Sequence, residues 1–431
     1  MKFTPQTNWR KTPLGTLAEF RNGVNFSKEN FGTGIRVIGV SDFQDNVRAS
    51  YDQLDEINPE GVVRKEHLLK NGDILFVRSN GNRELIGRNM YVDNVPGPVT
   101  HSAFSIRLRF TSALCHPRFY AYLFRSDLIR QSLSLFGGGT NISNLNQDIL
   151  GRLEVPVPET ETQERIAAIL VGYDKLIENN TRRIKILEQM AQMLYREWFV
   201  NFRFPGHEKV KMVESELGLI PDNWSVSSLG EACERITDGS HWSPKTVEEG
   251  GIPMASVKDM HNWGLNLSTC RRIADSEFHT LVRSDCKPLV DDVLIAKDGS
   301  YLKHSFWVQK PVEVVILSSI AILRPNKRIL PSFLSLYLQD PQIMSRMKGF
   351  VSGVAIPRIV LKDFRKFQIQ LPPLPLQQQF AKFIEPMLRL CVSLTERNEN
   401  LRTTRDLLLP KLVSGEIRVE TFEKEALAQT V

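Results

Sequence analysis

The 431-residue chain is poor in cysteine and has no long apolar run. Its five cysteines, Cys115, Cys233, Cys270, Cys286 and Cys391, are scattered, odd in number and free of CxxC spacing. That pattern argues against a disulfide framework and against a zinc site. The longest near-apolar stretch, residues 314–323, is interrupted by Ser318 and Ser319. It is about half of what a membrane-spanning helix needs. The opening Met1-Lys2-Phe3-Thr4-Pro5 lacks the apolar core of a secretory signal, so a cytoplasmic location without membrane contact is expected.

Catalytic and cofactor motifs are also missing. There is no GxxxxGK[ST] phosphate loop, no HxH or HExxH metal pair and no GxSxG elbow. Phe31-Gly32-Thr33-Gly34 and Phe136-Gly137-Gly138-Gly139 imitate a cofactor glycine loop, but neither follows a clear strand, and both read as turns. Neither half holds the Asn/Asp-Pro-Pro-aromatic tetrapeptide of an amino-methyltransferase. Asp291-Asp292 with Lys297 imitates a nuclease metal cluster, yet Ile295 stands where a further acidic residue is needed. The expectation is a chain with no catalytic centre, no bound metal and no cofactor of its own.

What the chain does have is a repeat. Composition is that of a globular protein, 42% hydrophobic and 24% charged, and the length suggests two to three domains. Asn8-Trp9 and Leu14-Gly15 recur as Asn223-Trp224 and Leu229-Gly230, 215 residues on. Gly72-Asp73-Ile74-Leu75-Phe76-Val77-Arg78 matches the segment from Asp291 to Lys297 at 219. Pro117 and Phe119 match Pro331 and Phe333, and Gln163 matches Gln377, all at 214. The anchors keep their order, so each half repeats one plan.

Each half begins with short strands and turns. Residues 37–40, 73–77 and 104–108 read as strands, with turns at Asn71-Gly72 and Gly81-Asn82. Residues 117–133 read as one helix, and residues 331–347 as its repeat. Strands mixed with a helix, without a βαβ rhythm, predict a mixed α/β (α+β) domain.

Each half ends in a long helix. Thr160 to Gln163 fits a capping box with Thr160 at the N-cap. A heptad seam follows: Ile166, Leu170, Tyr173, Ile177, Asn180, Ile184, Leu187, Ala191, Leu194 and Trp198. The second helix starts near Pro375, with the seam Phe380, Ile384, Met387, Cys391, Leu394, Asn398, Leu401, Arg405, Leu408 and Leu412. Each spans about 38 residues, or roughly 57 Å. Pairing them antiparallel brings Asn180 and Asn398 near mid-helix, either as a buried register pair or on a solvated face.

The +6 net charge is unevenly placed. Residues 1–155 hold 19 basic and 15 acidic side chains, residues 207–371 hold 21 and 19, and the two helical segments are each neutral. Basic globular parts suit phosphate contact, and neutral helices with apolar seams suit protein contact. The basic residues gather in loops: Arg78, Ser79, Asn80, Asn82, Arg83 and Arg88 in the first half, and Lys297, Asp298, Ser300, Tyr301, Lys303 and His304 in the second. A second loop pair carries Thr140 and Asn141, and Arg358. Arg, Lys and Asn have the donors and acceptors that read base edges, which makes these the candidate DNA contacts.

Several segments resemble the specificity subunits of type I restriction-modification systems. They are Thr140-Asn141-Ile142-Ser143, Val155-Pro156-Val157-Pro158, Gln163-Glu164-Arg165-Ile166-Ala167 and Arg196-Glu197-Trp198-Phe199-Val200. Phe202-Arg203-Phe204-Pro205-Gly206 and the segment from Leu408 to Ile417 are similar to further signatures of that family. The second junction, residues 371–380, departs by lacking Glu-Arg-Ile. The resemblance implies two target-recognition domains, 1–157 and 205–373, alternating with helical conserved regions, 158–204 and 374–431. Each domain would read one part of a split asymmetric site in double-stranded DNA. Two modification subunits, carrying S-adenosylmethionine, would dock on the helices and methylate adenine. Restriction subunits, using ATP and magnesium, would cleave. A self-contained DNA-modifying enzyme and a coiled-coil scaffold without sequence readout are the alternatives.

Overall fold

A computed structural model describes residues 9–43, 46–82, 85–136, 144–298, 302–350 and 358–419. The chain forms two compact units, residues 1–177 with 400–431, and residues 178–399. Each unit contains one globular domain and a stretch of both long helices.

The two globular domains share one topology. In the first, a four-stranded antiparallel sheet has the order Ala18–Asn22, Ser105–Phe110, Ile74–Val77, Asn89–Tyr91. In the second the order is Cys233–Asp238, Ile320–Pro325, Val293–Ala296, Ser305–Trp307. A three-stranded mixed sheet follows the same rule twice. Phe31–Ile38 lies between an antiparallel Asp55–Ile57 and a parallel Val99–His101. Ile252–Ala255 lies between an antiparallel Arg271–Ile273 and a parallel Val315–Ile316. A short ribbon closes each domain, Arg10–Pro13 on Glu154–Val157 and Ser225–Ser228 on Gln368–Leu371.

The repeat reaches single hydrogen bonds. Asp73 is buried, takes both forks of Arg109 at 2.6 and 2.7 Å, and accepts the Lys70 N–H at 2.7 Å. Asp292 takes Arg324 at 2.7 and 2.9 Å and accepts the Leu289 N–H at 2.7 Å. Each carboxylate thus fastens a turn and a neighbouring strand with bidentate, charge-assisted bonds. The sisters Gly23 and Gly239 are fixed by close approach: a Cβ would fall 2.2 Å from the His101 carbonyl oxygen and 2.1 Å from that of Ile316.

Three readings of local structure need correction. Residues 117–133 are two helices, Pro117–Leu123 and Asp127–Phe136, and residues 331–347 are Pro331–Gln339 and Pro341–Lys348. In the second copy Pro341 supplies no N–H and Asp340 caps the new start. Phe31 to Gly34 is strand rather than turn. Thr160 is the first residue of the helix and not its N-cap.

Gln163 does different work from a capping-box residue. It is fully buried, accepts the His116 N–H at 2.8 Å and donates to the Leu114 and Pro158 carbonyls, both at 2.8 Å. Gln377 repeats this: it accepts the Leu330 N–H at 2.9 Å and donates to Arg328 at 3.0 Å and Pro372 at 2.8 Å. One amide therefore ties each long helix to the loop that starts the domain's own helix.

The long helices are Thr160–Tyr195, which continues as a π-helical turn at Arg196–Val200, and Leu374–Val413, unbroken through Pro386 and Pro410. All twenty seam residues are buried or half-buried. Within the second unit Asn180 donates to Asn398 at 2.9 Å, and Trp198 packs on Phe380 with ring centres 5.5 Å apart. Numbering rises on one helix as it falls on the other, so the pair is antiparallel. Both asparagines are buried, as a register pair. Within the first unit Arg405, the charged seam residue, meets Asp174 at 2.6 Å, and Asp174 also accepts the Tyr122 hydroxyl at 2.5 Å.

All five cysteines are buried free thiols. His101 is fully buried, with Nδ1 2.8 Å from the Ser105 hydroxyl, and burial pushes its pKa down to about 3.

Two predictions arise. Gln163→Met keeps volume but strips three backbone groups of their partner, and each unsatisfied buried group costs about 1–3 kcal/mol. Denaturant unfolding should show a loss of at least about 2 kcal/mol in the first unit, and Gln377→Met the same in the second. For His101 the unfolded chain takes a proton near pH 6.5 while the folded chain resists until about 3. Stability should therefore fall as pH drops below about 6.5, and His101→Gln should flatten the slope of melting temperature against pH between 6.5 and 4.

Candidate nucleic-acid interface

In each domain a fully buried strand delivers a basic residue to the start of a loop. Ile74–Val77 ends at Arg78, and Val293–Ala296 ends at Lys297. The Arg78 N–H donates to the Phe104 carbonyl at 2.8 Å, and the Arg78 carbonyl accepts the Leu145 N–H at 2.9 Å. The Lys297 N–H donates to Ser319 at 3.0 Å, and its carbonyl accepts the Ile359 N–H at 3.0 Å. The chain just after the second candidate loop is thereby pinned to the root of the first, in both domains. Loop necks also match: Val77 N–H to Arg88 at 2.9 Å and Gly87 N–H to Val77 at 2.9 Å, against Ala296 N–H to His304 at 3.0 Å and Leu302 N–H to Ala296 at 2.7 Å.

The side chains differ between the copies. Arg78, Ser79, Asn80 and Arg88 are half-buried and Asn82 is exposed. The Asn82 N–H donates to the Asn80 side chain at 2.7 Å, an Asx turn that shapes the loop tip. Lys297 is only 5% exposed, with its ammonium 3.2 Å from Asp238 and 3.3 Å from Asp298. Two carboxylates hold that charge inside the domain. Lys303 and Arg358 are exposed, and Asp298 and Arg358 form an isolated antiparallel bridge. His304 is half-buried against Asn262 at 2.9 Å, and burial with Lys303 lowers its pKa, which keeps the ring neutral near pH 7. Arg83, Thr140, Asn141, Ser300 and Tyr301 lie outside the described residues.

Sequence reasoning overlooked two large exposed aromatics beside these loops. Phe104 is 60% exposed and shares the Arg78 backbone bond, and Trp242 is 54% exposed, next to His241, which lies 3.4 Å from Asp238. The doublets Asn22-Gly23 and Asp238-Gly239, one repeat apart, were the available signal for Asp238. The segment that imitated a metal cluster is an ion-paired core. Asp292 belongs to Arg324, and Asp291 accepts the Trp307 indole N–H at 2.9 Å. Among the described residues no group of three or more His, Cys, Asp or Glu is placed to hold a metal, and no helix is long and apolar enough to cross a membrane.

Comparison with known proteins matches this duplication. The family model for the type I restriction modification DNA specificity domain matches residues 6–189 and again residues 221–402. The chain is 26% identical to the putative type I restriction enzyme MjaX specificity subunit of Methanocaldococcus jannaschii, over 98% of this chain and 99% of that one. It is 24% identical to the HindI specificity subunit of Haemophilus influenzae, over 95% and 100%. A crystal structure of the type I restriction-modification S subunit from M. genitalium aligns with TM-score 0.57 at 18% identity, covering 96% of this chain and 98% of that one. The chain therefore belongs to the type I restriction-modification DNA specificity family, as a specificity subunit that carries the family's domain twice.

Proposed function

We propose that this chain is the non-catalytic, DNA-reading subunit of its complex, acting in the cytoplasm. Each recognition domain reads one part of a split, asymmetric site in double-stranded DNA. The antiparallel helices act as the ruler between the two parts. Modification subunits bring S-adenosylmethionine and methylate adenine within the site, and restriction subunits bring ATP-driven cleavage with magnesium. The observation that carries this reading is the loop pair pinned at Arg78 and pinned again at Lys297. Two equivalent basic loop clusters on one chain suit two half-sites. Half-sites one DNA turn apart are separated by roughly 34 Å.

The helices supply matching support for docking. In the second unit Ile186, Met190 and Met193 on one helix and Phe383 and Leu390 on the other are exposed. Each stands one residue before a seam position, so all five face one side of the helix pair. In the first unit the exposed Leu176 and Leu407 hold the same places one repeat away from Leu390 and Met193. An apolar face written twice suits two copies of one partner, the modification subunit.

Two predictions test the reading. In the assembled methyltransferase, Arg78→Ala should cost about 1–3 kcal/mol in DNA binding and relax one half of the methylated motif only. Methylome sequencing reads this out, and equal change in both halves would contradict the assignment. Met190→Asp with Met193→Asp places charges on the exposed face and spares the seam. Titration on a sizing column should show affinity for the modification subunit weakened about thirtyfold or more, as truncated interface anchors cost about 2 kcal/mol. Unchanged assembly would remove the helix face from the interface.

A further inference from the structure

Phe104 and Trp242 are the most exposed phenylalanine and tryptophan among the described residues, at 60% and 54%. A scattered exposed apolar side chain needs no explanation. These two hold related places, each at the root of the basic loop of its own domain. In the first domain Val77 faces Ser105 across the sheet. One step further the same register sets Phe104 across from Arg78, whose N–H donates to the Phe104 carbonyl at 2.8 Å. Residues directly across an antiparallel pair share a face. The turn that carries Phe104 is anchored, with the Ala103 N–H on the Val24 carbonyl at 2.9 Å and the Val24 N–H on the His101 carbonyl at 2.8 Å. In the second domain Trp242 follows Ser240, whose N–H donates to Ile316 at 2.8 Å and whose carbonyl accepts the Ser318 N–H at 2.9 Å. The Ser240 hydroxyl accepts the Trp242 N–H at 3.1 Å and donates to the Trp242 carbonyl at 2.6 Å. Trp242 is thereby tied to the turn that holds Lys297 through Ser319. In both domains the backbone is clamped while the ring stands in water.

The frame requires neither ring. In the repeat Ser319 stands for Phe104, and its hydroxyl accepts the Val257 N–H at 3.2 Å. Phe26 stands for Trp242, and it is half-buried, edge-on to Phe31 with ring centres 5.5 Å apart. The two copies keep the same clamped turns and change which turn carries the exposed ring. That is the pattern of a presented group and not of a packing group. Charge points the same way at the second root. Asp238 and Asp298 together outnumber the Lys297 ammonium between them, so a phosphate is disfavoured there and contact falls to the bases.

We infer that Phe104 and Trp242 each press against the C5-methyl group of one thymine in the half-site that their own domain reads. The inference rests on the DNA-reading role proposed above and names two specificity-determining residues for it. Thymine alone among the bases presents an apolar group in the major groove, and an aromatic ring is a suitable partner for it. With Arg78 opposite Phe104, the first root combines a donor for guanine edges with a ring for a methyl group. Both rings sit on short clamped turns, which suits covering a group at the groove surface better than driving a wedge between base pairs.

The test uses the assembled methyltransferase and duplexes that carry its mapped methylation motif, with each thymine replaced in turn by uracil, which lacks the methyl group. For the native complex, one replacement in each half of the motif should weaken binding about fourfold, the worth of one buried methyl group. Phe104→Ala should abolish that penalty in one half only, and Trp242→Ala in the other half only. Phe104→Leu, which stays apolar, should keep part of it. Both rings are exposed, so the variants should melt with the native chain. No uracil penalty in the native complex, or a penalty that survives both alanine variants, would overturn the inference while the split motif, and with it the DNA-reading role, stands. Uracil tolerated by the native complex while the alanine variants lose affinity would make the rings wedges between base steps and would overturn it as well. A methylation pattern with no split motif would overturn both this inference and the DNA-reading role.

Discussion

One buried amide holds this architecture together, twice. A long helix with an apolar seam can pair with another helix in many ways, and a small mixed sheet can drift on a flexible tether. Gln163 and Gln377 remove that freedom, because each satisfies three backbone groups, two from the loop before the domain's own helix and one from its own helix start. Orphaned backbone groups in a dry interior are expensive, so the arrangement is specific as well as stabilising. The orientation of each recognition domain on its own stretch of helix depends on this amide more than on any apolar contact, which would tolerate sliding.

The helix pair solves the register problem by the same means. An all-apolar seam is stable but permissive, and a shift by one heptad would cost little. Asn180 with Asn398 and Asp174 with Arg405 each meet across the pair at one height. Breaking a buried pair is worse than never having made it, so polar pairs in an apolar seam penalise every wrong alignment. Arg405 is the one charged residue in the two seams. Paired with Asp174, it is a second register lock.

This explains what was legible in the sequence and what was not. Heptads and the repeated Asp73 and Asp292 turns are periodic or local, and they stand out in one dimension. The duplication, the seams and the loop positions were therefore readable. The capping role assigned to Thr160 failed because Gln163 finds partners in another loop, which no local window contains. Helices at residues 117–133 and 331–347 were drawn as single because their apolar face continues through the break. The burial of Lys297 was hidden because one of its two carboxylates, Asp238, comes from a distant strand end.

The duplication also separates scaffold from function. Where the copies agree, as in the glutamine clamps, the aspartate–arginine turns and the pinned loop roots, the shared geometry is what the fold requires. Where they diverge, that requirement is relaxed. Gly87 takes a left-handed backbone at the loop neck, φ 82°, and its sister Leu302 takes the same conformation at φ 57°. For a leucine this costs about 1–2 kcal/mol. The Leu302 side chain is buried, and burying a leucine contributes about 1.5–3 kcal/mol, enough to offset the strain. The neck hydrogen bond to Ala296 survives, so the loop keeps its take-off angle while its sequence is free to change. A domain built in this way can exchange the groups that its loops carry without disturbing the frame that aims them.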